Sequence, residues 1–226
     1  LILQIVQGAS PTEAGLLMIP MTIGMMTASM GSGIITGKTG KYKGFLIGGT
    51  GLMAASYVYF SMMTLEWEIW QISIGMVFLG LGLGQLMQTL TIASQNSVEA
   101  KDIGVATSSS TFFRQMGGTL GVAVFLSILF NSLADKGAEI GAKIQAAIAA
   151  NPGLLNDPRN AVFTSGQDVS ELIQSDSSFL KTASPELADP IKQAFAESTA
   201  SVFIAASVVV ITAFVLSIFI KEVALR

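Results

Sequence analysis

Hydrophobic positions in this chain are massed in blocks and not spread in narrow stripes. Five blocks are long enough to cross a bilayer, which takes about 20 mostly apolar residues. They are Ala14–Thr36, Phe45–Met63, Ile72–Ala93, Val105–Phe130 and Ser201–Ile220. A short stub, Leu1–Val6, precedes them. The pattern predicts an all-α polytopic membrane bundle with five full spans and a truncated one. The opening "LILQIVQGAS" has no basic region and no small-residue cleavage site, so it is not read as a signal peptide. It is expected to be the outer end of a helix begun upstream, making the chain the C-terminal part of a longer membrane protein.

Polar residues punctuate the blocks. In "SPTEAGLL", Ser10 suits a helix cap, Pro11 the first helical position and Glu13 a capping-box partner. Pro20 lies inside the first full span, where neighbouring helices can satisfy the carbonyl it frees. The long polar segment reads as a loop with short helices. "GAEIGAKIQAAIAA" has an amphipathic helical pattern, "NPGLLNDPRN" is turn-rich, and Asp189-Pro190 is expected to open a helix running into the last span. Residues 1–130 are thus expected to be membrane helices, 131–198 an outer loop, and 199–226 the last span and its tail. No internal repeat is found.

Orientation follows from basic residues in short loops, which mark the cytoplasmic side. Lys38, Lys41 and Lys43 follow the first full span, Lys101 lies between the third and fourth, and Lys221 and Arg226 end the chain. The intervening turn carries Glu66 and Glu68 with Trp67 and Trp70, which suit a membrane interface. The lysine turn and the C-terminus are therefore expected inside, and the tryptophan turn and Asn131–Ser198 outside. That fits a multi-pass protein of the inner or plasma membrane.

Composition agrees and removes alternatives. Hydrophobic residues make up 51% of the chain and charged residues 12%, half the usual charged share of about 25% in soluble domains. Mean hydropathy is +0.63. The net charge of −3 gives no basic face for nucleic acid. With no cysteine and no histidine, disulfides, thiolate chemistry, imidazole triads and the common zinc motifs are excluded. No enzyme activity, metal or cofactor is expected.

The stretch "GSGIITGKTGK", residues 31–41, comes close to the phosphate loop GxxxxGK(S/T). The pair Gly37-Lys38 would require glycine at position 32, which is Ser32, and a phosphate loop lies between a strand and a helix, not at the inner end of a membrane span. What "GIITGKTGKYK" resembles is the loop motif of the major facilitator superfamily, G-x-L-(A/S)-D-R-x-G-R-(R/K)-x. Gly33, Ile35, Thr36, Lys38, Gly40, Lys41 and Lys43 supply its glycine, aliphatic, small and basic positions, while Gly37 stands where the better copy has aspartate. That departure suits a degenerate second-half copy.

"SQNSVEAKDIGVATSSSTFFRQMGGTLGVAV" and "QGASPTEAGLLMIP" are similar to segments of EmrB/QacA-type drug–proton antiporters, the fourteen-span branch. The resemblance implies the second half of a major-facilitator fold and export of amphipathic, often cationic compounds in exchange for protons. It also implies a first half as partner, alongside the lipid bilayer. No acid lies within any span, so the proton-carrying carboxylate is expected in that other half.

Candidate pathway residues follow from helical angle. Gln85, Gln88, Thr89, Gln95 and Asn96 share about a third of one circumference, and Thr107, Ser110, Thr111, Arg114, Gly118 and Gly121 share a face of the next span. Such faces avoid lipid, through interhelical hydrogen bonds or along a solute path. Arg114 lies about 15 Å into its span at 1.5 Å per residue, and a mid-span arginine costs about 2.5–3.5 kcal/mol on insertion scales. It needs a partner or water, or else snorkels to the inner surface. Glycines in "GLGLGQ" and "RQMGGTLG" are read as close helix contacts. Two alternatives stay open: an exporter of a metabolite or siderophore on the same fold, and a membrane scaffold or receptor acting through its outer loop.

Overall fold

The computed structural model describes residues 5, 10–65, 67–164 and 179–220. Most of the stub, Glu66, part of the polar loop (165–178) and the tail with Lys221 and Arg226 lie outside the described residues. Everything regular among the described residues is helical: α1 (Pro11–Leu17), α2 (Ile19–Thr39), α3 (Lys43–Ser61), α4 (Ile69–Asn96), α5 (Ile103–Asp135), α6 (Gly137–Ala150), α7 (Ala161–Thr164), α8 (Phe179–Thr182) and α9 (Pro185–Phe219). The all-α membrane class expected from the sequence holds.

Among the described residues, four stretches are long and apolar enough to cross a membrane: Thr12–Thr39, Ile69–Asn96, Ala100–Asp135 and Pro185–Phe219. The fifth expected span is α3. Its 19 residues reach about 28 Å at 1.5 Å per residue, close to the hydrocarbon thickness of about 30 Å. Its lower apolarity comes from glycine, serine, threonine and tyrosine, several of which are buried against neighbours.

Helix starts follow the sequence logic in one place and depart from it in another. The Ser10 amide donates to Glu13 Oε2 at 2.7 Å and the Glu13 amide to Ser10 Oγ at 3.2 Å, the reciprocal capping box. The helix breaks at Met18, which caps α2 with Pro20 near its start, because proline cannot donate the amide a continuous helix would need there. α9 starts at Pro185, before the expected Asp189-Pro190, and keeps Pro190 inside. Ser184 and Pro185 already provide a start: the Ser184 carbonyl accepts the amides of Leu187 and Ala188, both at 3.0 Å. Pro190 forgoes the bond its amide would have made one turn back, and its ring crowds the carbonyl there.

The chain divides into two compact units. The loop unit holds the described residues up to Leu16, Met62–Trp67 and Leu126–Val202. Its core is built of Ile5, Leu129, Leu133, Ile140, Ile144, Leu154, Leu180, Leu187, Ile191 and Phe195. α6 takes the amphipathic form its pattern predicts, burying Ile140 and Ile144 and pairing Glu139 with Lys143 at 2.8 Å on its outer side. That hydrogen bond raises the Lys143 pKa. The turn-rich stretch is fixed by Asn160, which is fully buried. Its Nδ2 donates to the Leu154 carbonyl and to Ser184 Oγ, both at 2.9 Å, and its Oδ1 accepts the Ser184 amide at 3.0 Å.

The span unit holds Leu17–Ser61, Glu68–Phe125 and the chain from Phe203. Here α4 packs between α2 and α3. A Cβ at Gly80 or Gly84 would lie 2.1 or 2.2 Å from the carbonyl oxygens of Met21 and Met25 on α2, and one at Gly82 would lie 2.8 Å from that of Gly49 on α3. Glycine is required at each, because backbone meets backbone. From Phe203 onward α9 lies along α3: Phe203 stacks on Phe60 at 5.1 Å, and Thr50 Oγ1 meets Ser217 Oγ at 3.3 Å.

Candidate transport face

The lysine turn is shaped by its glycines. Gly40, at φ +70°, is the left-handed residue that ends α2, and its amide returns to the Thr36 carbonyl at 2.8 Å. Gly33 and Gly37 lie within α2, so no phosphate-binding turn forms. Gly37 is exposed and open, whereas Gly33 is a seat for the Gln88 side chain. Lys38 stands in the last turn of α2, where a cation favours the carbonyl end of the helix dipole. Lys38 and Lys41 are exposed, and Lys43 is half-buried at the start of α3.

The polar residues of α4 are distributed between two neighbours. Gln85 Oε1 would be 3.3 Å from a Cβ at Gly48 of α3, and Gln88 Cγ 3.3 Å from one at Gly33 of α2. Each amide thus lies over a glycine on a different helix. Thr89 is fully buried and donates to the Gln85 carbonyl at 2.6 Å. Asn96, half-buried, ends the helix.

The two polar faces meet at a hydrogen bond between Gln95 and Thr107. Gln95 Nε2 donates to Thr107 Oγ1 at 3.1 Å, while that hydroxyl donates to the Ile103 carbonyl at 2.8 Å. Ser110 and Thr111 are half-buried, and Arg114 is exposed. Among the described residues Arg114 makes neither hydrogen bond nor ion pair, and no atom lies within 4 Å of a Cβ at Gly117 or Gly118. The glycines of "RQMGGTLG" therefore find no close helix among the described residues, unlike those of α4. Sequence reasoning gave Gln95 a place on the polar face but did not single it out. Its distance of twelve residues from Thr107, across a short connection, was the available signal.

These features define a polytopic helical membrane protein with some polar side chains, among them Gln85, Gln88 and Gln95, set between helices. The chain is 36% identical over 222 residues to an uncharacterized MFS-type transporter of Mycobacterium tuberculosis, a match covering 97% of this chain and 29% of that protein. It is 30% identical over 227 residues to a tetracycline resistance determinant of Streptomyces rimosus, covering 98% of this chain and 65% of that protein. It is 31% identical over 169 residues to the multidrug transporter protein MdtP of Bacillus subtilis, covering 68% of this chain and 31% of that protein. The chain therefore spans less than two thirds of the length of each. No family model and no solved structure matches. The relatives' names support the major facilitator superfamily, and the bundle is consistent with half of such a fold.

Proposed function

We propose that this chain is the second half of an EmrB/QacA-type secondary transporter that exports amphipathic, often cationic compounds in exchange for protons. The observation that carries the reading is the similarity to MFS-type transporters over 97% of the chain, with drug-resistance and multidrug names among the relatives. In this reading the span unit rocks against a first half that supplies the proton-carrying acid. Gln85, Gln88, Thr89, Asn96, Thr107, Ser110, Thr111 and Arg114 line the path between the halves, with Lys38–Lys43 and the C-terminus cytoplasmic and Asn131–Ser198 outside.

Arg114 is the sharpest test, because a bare charge in a span needs water or a partner. In everted vesicles holding the complete transporter, efflux of a cationic dye should stop when a protonophore is added. Arg114→Ala should abolish it and Arg114→Lys, which keeps charge but loses the planar fork, should retain part, both at normal abundance. Normal efflux by Arg114→Ala would sink the pathway role in favour of snorkelling. On a cysteine-free background, an impermeant thiol reagent should label Asn156→Cys but not Lys41→Cys in intact cells. The reverse pattern would invert the topology.

A further inference from the structure

The loop unit contains a cavity of about 430 Å³ bounded by Met63, Thr64 and Leu65 on one side and Gln193, Ala196 and Glu197 of α9 on the other. That size falls among the smaller small-molecule sites, which run from about 300 to 1,000 Å³. Met63, Leu65 and Ala196 make part of its wall apolar, Thr64 and Gln193 add neutral polar groups, and Glu197 is the charged residue of the lining among the described residues.

Glu197 is held by two donors. Lys136 Nζ donates to Oε2, and Gln193 Nε2 donates to Oε1 at 3.1 Å. Lys136 lines a neighbouring cleft with Glu139 and Lys143 and does not line this cavity, whereas Gln193 and Glu197 border both. A carboxylate has about four acceptor positions, so two donors leave it able to accept more. A negative group set in an apolar wall selects a positive charge carried on an apolar body.

We propose that this cavity binds a small amphipathic organic cation through Glu197, as an outer station for exported compounds. Its place in export rests on the transporter reading above; the binding itself does not. Lys136 competes with the ligand for the same carboxylate, so the two partners of the ion pair have opposite effects on affinity.

The test is equilibrium dialysis of the purified complete transporter with radiolabelled benzyltrimethylammonium. Glu197→Gln should weaken binding at least tenfold, and Thr64→Trp, which fills the space from an exposed turn, should do the same with all charges intact. Lys136→Gln should tighten binding severalfold, and the uncharged isostere neopentylbenzene should not compete. Binding indifferent to Glu197→Gln and Thr64→Trp overturns the proposal. So does equal weakening by Glu197→Gln and Lys136→Gln, which would mean that the ion pair only supports the fold. Dye efflux is read separately: cavity binding without proton-driven efflux removes the export reading and keeps the site, whereas efflux without cavity binding removes the site and keeps the transporter.

Discussion

The two units differ in the residues they bury. In the loop unit many enclosed positions are large and apolar, as with Ile140, Leu187, Ile191 and Phe195. In the span unit many are small or polar: Gly24, Ser32 and Thr36 on α2, and Gly75, Gly80, Gly82, Gly84 and Thr89 on α4. The large apolar side chains of those spans point outward, including Ile23, Met26, Met30, Ile34 and Phe78. The contrast follows from the solvent each meets. Water drives apolar surface together. Lipid tails do not, so spans associate through close packing and hydrogen bonds.

The largest effect should come from adding bulk where the span unit is closed. At Gly84 the nearest atom to a Cβ is a backbone carbonyl oxygen at 2.2 Å, which has no rotamer to escape into. Gly84→Leu should prevent assembly of α2 on α4, seen as loss of the monodisperse peak of the detergent-extracted complete protein on size exclusion. Gly117→Leu is the matched change on α5, where the position is open. An unaltered peak from Gly84→Leu would break the contrast between the units.

Truncation should give the reverse pattern. Phe195 is 1% exposed in the loop core, and Phe→Ala changes in cores cost about 3–5 kcal/mol. Phe195→Ala should therefore speed protease nicking of the loop unit by at least a hundredfold. Leu216→Ala removes an outward side chain, 61% exposed, and should leave the nicking rate unchanged. Similar rates for both variants would mean that the loop core does not hold that unit together.

The spans were legible in the sequence because a membrane demands massed apolar residues, a signal that reports hydrocarbon thickness more than helix length. This is why α5 runs on to Asp135 and α9 begins at Pro185, each beyond its apolar block. The spacing of Gly80 and Gly84 marked a small-residue face that α2 occupies, yet similar glycines on α5 have no neighbour among the described residues. Spacing identifies a face that can be approached, and tertiary structure decides whether anything approaches it. Gln85 and Gln88 stood out as polar residues in an apolar span, but their division between α3 and α2 depends on glycines far away in the chain. Asn160 was missed. It sat in a stretch whose prolines and asparagines announced only turns, and its partner Ser184 is separated from it by 24 residues.

Asn160 also yields the smallest contrast and the most discriminating one. Its side chain closes a non-local network of two donors and an acceptor at zero exposure. Removing it strands the Leu154 carbonyl and the Ser184 amide, and a buried group left unsatisfied costs about 1–3 kcal/mol. Thr89 is equally buried, but its hydroxyl donates to the carbonyl one turn back on its own helix. Such back-bonding adds little to a helix, and the Gln85 carbonyl stays within the ladder without it. Asn160→Ala should thus speed nicking of the loop unit roughly 5- to 150-fold, the range its cost implies, while Thr89→Val should leave the size-exclusion profile and thermal midpoint of the complete protein unchanged. Thr89 is also placed on the proposed pathway, so an intact fold makes its variant informative. Loss of efflux by a normally folded Thr89→Val would assign the hydroxyl to transport, and unaltered efflux would leave it as packing between α4 and its neighbours.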